Sequence, residues 1–259
     1  MPDRAPLPFA LHPQRADLYD ELHARPFHLV TTPQQATHLA FRAGPEEMEA
    51  AFGLLCGLCR RYSVNQPAQA SAFFQQDCGK FTVRWEHHTE FYSLTFLRPR
   101  PDGSEPFAHP VLELVPGDWL GALPGQAVAA FHLFVDGGQA PPSEEELGRL
   151  FEGQGLIHSL PRSGKTELYT AFKLHGDGFG RFLIRNGGIN SEQMGRLVQR
   201  VIELETYRLL ALLALPMAKA IAPALAEMDH QLADMLASIP QMGSSEDERE
   251  LLQRLSRLA

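Results

Sequence analysis

Phe81-Thr82-Val83-Arg84-Trp85-Glu86, then His87-His88-Thr89-Glu90, then Phe91-Tyr92-Ser93-Leu94-Thr95-Phe96-Leu97: two runs rich in aromatic and β-branched residues enclose four polar ones. That pattern predicts a β-hairpin with a four-residue loop. Alternation along the first run puts Phe81, Val83 and Trp85 on one face and Thr82, Arg84 and Glu86 on the other. Apolar and charged residues at this spacing mean a sheet with one face in a core. The same string carries chemistry. A strand end bearing Glu86, His88 and Glu90 could offer carboxylate and imidazole ligands to one ion, or an acid and a base to one substrate. The simpler reading is a hairpin tip whose His and Glu hydrogen-bond the turn while Arg84 pairs with a carboxylate.

Working outward, strand and helix signals alternate. Thr37–Arg42 reads as a short strand. Pro45 opens a helix with Glu46, Glu47 and Glu49 in its first turn and Arg60–Arg61 in its last, each where the helix dipole favours it. Met48, Phe52, Leu55 and Cys59 form its apolar stripe. Pro99 to Gly125 holds six prolines and four glycines, which predicts a long irregular excursion with one short turn at Asp118–Ala122. Ala127–Val135 suits a central strand covered on both faces. Ser143 and Glu146 form a capping box for a short helix to Phe151. Leu168–His175 and Phe179–Arg185 flank Asp177–Gly178, a two-residue hairpin signal because Gly tolerates positive φ. The fold class expected is α/β (α+β): a mixed sheet of about six or seven strands with packed helices.

Asn190 changes the character of the chain. With Gln193 it can cap a helix in which Met194, Leu197, Val201 and Leu204 share a face. That helix is expected to run to Pro216, a second from Pro223 to about Ile239, and a third from Ser245, boxed by Glu248. The organisation expected is an extended arm at 1–11, an α/β head at 12–189 and a helical section at 190–259. The last helix stops in mid-pattern, as if cut within a longer one. Leu209 to Ala226 is 18 residues, apolar except for Lys219. Alanine-rich and interrupted by Pro216 and Pro223, it is poor spanning material and reads as a buried or inter-subunit helix. Leu209–Leu215, apolar on every side, requires cover all round, in part from the head and in part from another helix or chain.

Composition narrows the function classes. Twenty-three Lys and Arg against 31 Asp and Glu leave a net charge of −8, which argues against a nucleic-acid partner. Three cysteines and no cleavable leader point to a reducing compartment. Ser163-Gly164-Lys165-Thr166 lacks the first glycine of a phosphate loop, since Ser159 stands there, and Gly153-Gln154-Gly155 lacks the third glycine of a dinucleotide loop. Cys56 and Cys59 lie near a helix end, where nothing stabilises a thiolate. His132, in an apolar strand, reads as a satisfied core histidine. No nucleophile-elbow or zinc-protease motif occurs.

A second polar cluster, His12, Glu21, His23 and Arg25, surrounds a short helix that Pro26 would end. Joined to the hairpin tip, it would complete a composite site. His12, His23, Glu86, His88 and Glu90 would serve as ligands or acid/base groups, and Arg25 and Arg84 would hold an anion. A divalent metal is the one cofactor such a set suggests, with His88, Glu86, Glu90 and His23 as ligands. An arm pinned by salt bridges accounts for the same residues.

Several ordered strings together resemble one bacterial family of uncharacterised membrane-anchored proteins. They are His12-Pro13-x-Arg15, Glu21-Leu22-His23-Ala24-Arg25-Pro26-Phe27, Arg84-Trp85-Glu86-x-His88-Thr89-Glu90-Phe91, Asp177-Gly178-Phe179-x-Arg181-Phe182, Gly195-Arg196-Leu197-Val198-Gln199-Arg200 and Glu203-Leu204-Glu205-Thr206-Tyr207-Arg208. His87 and Ser159–Thr166 depart from the pattern. The resemblance implies a cytoplasmic part of an inner-membrane protein, held by hydrophobic helices beyond this chain, and supplies no catalytic residues. A soluble head followed by long helices is also similar in plan to CorA-type magnesium channels, an architectural analogy only. The function expected is therefore non-enzymatic: a head that self-associates through its helices as a homo-oligomer, with a structural, sensing or transport-regulating role. A metal-dependent enzyme or ligand-binding module built on the two polar clusters is the alternative.

Overall fold

The hairpin forms as β3 (Thr82–His87) and β4 (Phe91–Pro99), paired antiparallel from Thr82 opposite Leu97 to His87 opposite Tyr92. The structure, a computed structural model, describes residues 13, 15, 27–69, 71–101, 103–138, 140–161, 164–239 and 243–258. Around the hairpin lies one mixed sheet of eight strands in the order β2-β3-β4-β1-β5-β8-β7-β6. The other strands are β1 (Gln34–Arg42), β2 (Phe73–Asp77), β5 (Gln126–Asp136), β6 (Ile157–Ser159), β7 (Thr166–Thr170) and β8 (Gly180–Asn186). The fold is the expected α+β class, with eight strands where six or seven were expected. β2 is a half-exposed edge strand with Gln75, Gln76 and Asp77 in it, and β6 is three exposed residues. Neither carries the alternation that burial of one face imposes.

Each half of the sheet runs strand, helix, three strands. In both, the first strand lies beside the fourth, followed by the third and second. The halves meet along β1 and β5, which pair antiparallel, with a bulge at Ala40/Phe41. They differ in direction: β1 and β4 are antiparallel, whereas β5 and β8 are parallel. Helix α1 (Pro45–Arg61) covers one half of a sheet face and α3 (Glu144–Leu150) the other, with the short α2 (Gly117–Leu120) between them in sequence. Under α1 the core contains Leu55, Leu58, Trp85, Leu94 and Phe96; under α3 it contains Phe134, Leu150, Phe151 and Leu183. Ser143 caps α3 by accepting the Glu146 N–H.

The opposite face belongs to α4 (Ser191–Leu212). Asn190 Oδ1 accepts the Gln193 N–H at 2.9 Å, the expected cap. Met194, Leu197, Val198, Val201 and Ile202 are buried. Leu204 is not: it is 62% exposed, while Glu205 and Thr206 face inward. The 3.6-residue period carries the buried stripe past Leu204 onto 205 and 206. Gly195 marks the closest approach on this helix. A Cβ there would lie 2.0 Å from the His28 carbonyl oxygen, so only glycine fits.

Three expectations are corrected. Asp177–Gly178 is not a two-residue hairpin, because β7 ends at Thr170 and β8 begins at Gly180. Asp177 Oδ1 accepts the Phe179 N–H and Gly178 has φ +81°, so the pair closes the end of a longer loop. Pro216 does not end a helix; it sits in the first turn of α5 (Leu215–Ser238), where its missing N–H costs nothing, and Pro223 lies inside α5. The last helix, α6 (Ser245–Leu258), is capped one residue earlier than expected. Ser244 Oγ accepts the Asp247 N–H, and Asp247 Oδ2 accepts the Ser244 N–H.

The contacts divide the chain into two compact units, with the boundary between Thr206 and Tyr207. In the second unit Met235 is the one buried residue that α5 contains, and Leu212, Leu213 and Leu215 are 42%, 47% and 43% exposed.

Candidate functional site

Alternation turns Arg84 and Glu86 of β3 toward the α4 face, and pairing sets them beside Thr95 and Ser93 of β4. His38 lies opposite Thr95 on the next strand, β1. These residues build a buried polar seam between the sheet and α4. Arg84 donates from Nε to Glu86 Oε1 at 2.7 Å and also pairs with it through Nη2. The guanidinium lies 4.9 Å from the Phe73 ring centroid. Glu86 Oε2 is 3.7 Å from His88 Nε2, and the His88 ring stacks on Phe91 at 3.7 Å between centroids. Arg84, Glu86 and His88 are all buried. Removing one partner would strand a buried charge, which is why such a set persists as a unit.

His38 continues the seam. One ring nitrogen meets Thr95 Oγ1 at 2.8 Å and the other meets Thr206 Oγ1 of α4 at 3.0 Å. Burial pushes its pKa down to about 3; nearby Glu86 opposes the shift, while His88 and Arg84 add to it. His28 is also lowered, by burial and by Arg84, and its Nδ1 bonds Gln75. The void enclosed among His28, Arg84, Thr95, Gly195 and Gln199 measures about 10 Å³, room for about one water and no substrate.

The structure thus brings Arg84, Glu86 and His88 together and separates Glu90 from them. Glu90 is exposed at the turn, beside Arg42, Glu47 and Gln126 in a shallow polar depression. His12, Glu21, His23 and Arg25, the other half of the composite site, lie outside the described residues. Among the described residues no three His, Cys, Asp or Glu side chains are placed to share a metal ion.

A second polar cluster on the α1/α3 face escapes sequence reasoning. His132 Nδ1 meets Thr37 Oγ1 at 2.8 Å, Phe179 stacks on the ring at 4.4 Å, and Asp177 lies 3.9 Å from Nε2. Arg181 joins Asp177 at 2.9 Å and Glu152 at 3.1 Å, and donates to the Leu150 carbonyl. Burial drives the His132 pKa down to about 4, against Asp177. Burial raises the Asp177 carboxyl, but the Phe179 amide and Arg181 together hold it below its usual value. His132 is thus the satisfied core histidine expected. The only signal for its partners was their spacing around the 177–181 turn. On the same face, a groove of about 720 Å³ lies beside α1, lined by Met48, Phe52 and Trp85 with His87 and Thr89 at one end. The cysteines Cys56, Cys59 and Cys78 are free, and burial raises the thiols of Cys59 and Cys78.

Comparison with known proteins places the chain in a family. Residues 10–259 match the model described as a protein of unknown function (DUF3422), and the chain belongs to that family. No curated protein and no solved structure matches it.

Proposed function

For a member of a family without an assigned activity, we propose a non-enzymatic role. The chain is the head and helical stem of a membrane-anchored protein at the cytoplasmic side of the bacterial inner membrane. It self-associates through its C-terminal helices and acts as a structural, sensing or transport-regulating part.

One observation carries the reading. The stretch Ser191–Ser238, which comprises α4 and α5, contains an 18-residue window of mean hydropathy 1.9 in which no residue is buried. Apolar surface on this scale is not left to water by a stable protein, and a membrane or a partner chain is the cover this reading assigns to it. By length and composition the stretch could cross a membrane, and its leucines equally suit helix–helix packing. The polar seam supports the same reading from the other side. Arg84 pairs with Glu86, which faces His88, and the void enclosed beside them measures about 10 Å³.

Cell fractionation tests this. The intact protein is expected with the membranes, released by mild detergent as a multimer. Recovery as a soluble monomer would contradict it.

A further inference from the structure

We infer that the groove beside α1 is a binding site for an uncharged small molecule, an apolar ring-sized body whose carbonyl-type oxygen accepts the Trp85 indole N–H. The groove lies on the face of the sheet away from α4. The inference therefore goes beyond the self-association proposed above and does not rest on it.

Trp85 is 1% exposed and forms part of the groove wall. Its ring is held by Tyr92, stacked at 5.0 Å, and by Phe52, edge-on at 6.1 Å. Its Nε1–H is buried and has no acceptor among the described residues. Trp119, the chain's other tryptophan, shows the usual outcome: its Nε1 donates to the Leu54 carbonyl at 2.8 Å. Buried indole N–H groups find partners because an unmet one forfeits the hydrogen bond it made to water. An unmet donor on a groove wall marks where a ligand's acceptor belongs. The N–H is screened from solvent, so the acceptor arrives with a shift of Met48, whose unbranched thioether is the adaptable part of the lining.

Gly53 is an independent sign. It stands inside α1, where glycine is less favourable than any residue but proline. No close approach explains it, since a Cβ there would meet nothing within 4 Å. Gly53 also lines the groove, so the missing side chain keeps the groove open.

Size and charge define the ligand. A volume of about 720 Å³ suits a small molecule. Met48, Phe52 and Trp85 suit an apolar or aromatic body. Among the described residues, Glu49 is the lining's one carboxylate and is exposed, and no Lys or Arg lines the groove. An anion would enter without a counter-charge. A cation would meet the indole donor, which it cannot use, and no buried carboxylate. A neutral acceptor satisfies the donor and needs no counter-charge.

The test uses the whole chain with 15N-labelled tryptophan. It gives two indole N–H resonances, from Trp85 and Trp119, assigned by the loss of one in Trp85→Phe. The probes are 1-indanone, indane and 1-aminoindane, one ring system with a carbonyl, no polar group and an ammonium. 1-Indanone is expected to move the Trp85 resonance saturably, leave that of Trp119 in place and bind roughly tenfold tighter than indane. Trp85→Phe, which keeps an apolar wall, is expected to erase that preference, read by saturation transfer to the ligands. Gly53→Leu is expected to abolish binding without lowering the melting temperature. Equal binding of 1-indanone and indane would overturn the inference, because the N–H would then take no part. Tighter binding of 1-aminoindane would make this a cation site. No response of Trp85 to any probe, or a folded Gly53→Leu protein that binds as wild type does, would remove the site. None of these readouts depends on particle mass, so failure here leaves the proposed function standing.

Discussion

His38 of β1 and Thr206 of α4, 168 residues apart in sequence, share a 3.0 Å hydrogen bond between Nε2 and Oγ1. Thr206 is the last residue of the first unit, so this bond pins the part of α4 that belongs to that unit to the centre of the sheet. With Thr95 on the other ring nitrogen, His38 has no spare partner. Thr206→Val keeps the shape and strands a buried nitrogen, at a cost of about 1–3 kcal/mol. Thr206→Ser should recover most of it. Urea denaturation of the two variants checks this, and equal destabilisation would show that the methyl group, not the hydroxyl, matters.

Two buried histidines make stability fall with acid. The folded-state pKa values of His38 and His132 are about 3 and about 4, against about 6.5 in the unfolded chain. Below pH ~6.5 the unfolded chain binds protons that the fold refuses. Their contribution is full above that pH and is lost as pH falls toward 4, at up to about 1.4 kcal/mol per pH unit for each histidine. Unfolding free energies at pH 7.5, 6 and 5 are expected to decline, with a shallower slope for His132→Asn. A flat profile would mean these rings are hydrated.

Gly195 and Gly53 offer a contrast within helices. A Cβ at Gly195 meets the His28 carbonyl at 2.0 Å, while one at Gly53 meets nothing within 4 Å. Gly195→Ala is expected to destabilise by roughly 1–3 kcal/mol through overpacking, and Gly53→Ala to stabilise by about 0.5–1 kcal/mol through helix propensity. Thermal unfolding of both reads the difference directly.

His88 and Leu212 separate folding from assembly. From the sequence alone, Leu212 looks the more critical for integrity, because an apolar run needs cover. In the structure Leu212 is 42% exposed, whereas His88 is 6% exposed and stacked on Phe91. His88→Ala is therefore expected to lower the head's melting temperature, costing about 1–3 kcal/mol. Leu212→Asp should leave the transition in place and reduce the particle mass. Calorimetry paired with light scattering distinguishes the two effects.

What could be read in advance follows the strength of the periodic signal. The Phe81–Leu97 hairpin, α1 with its charged ends and the Asn190 cap are legible because burial of one face imposes alternation or a 3.6-residue stripe. β2 and β6 are exposed edges under no such constraint, and the Asp177 turn is built by side-chain hydrogen bonds that local spacing does not reveal. Arg84, Glu86 and His88 stand out as an unusual string. Their burial beneath α4 depends on Thr206 and Gly195, more than 100 residues away, and no local pattern encodes that. The seam stands out in one dimension by its residue types, and its packing against α4 emerges only in three.

The central claim is that this chain works as an assembly joined through its C-terminal helices. Sedimentation equilibrium of the purified protein over a hundredfold range of concentration measures it most directly. Self-association requires a species of at least twice the chain mass that persists on dilution into the micromolar range. A single species of one chain mass throughout, with α5 still helical by circular dichroism, would contradict it.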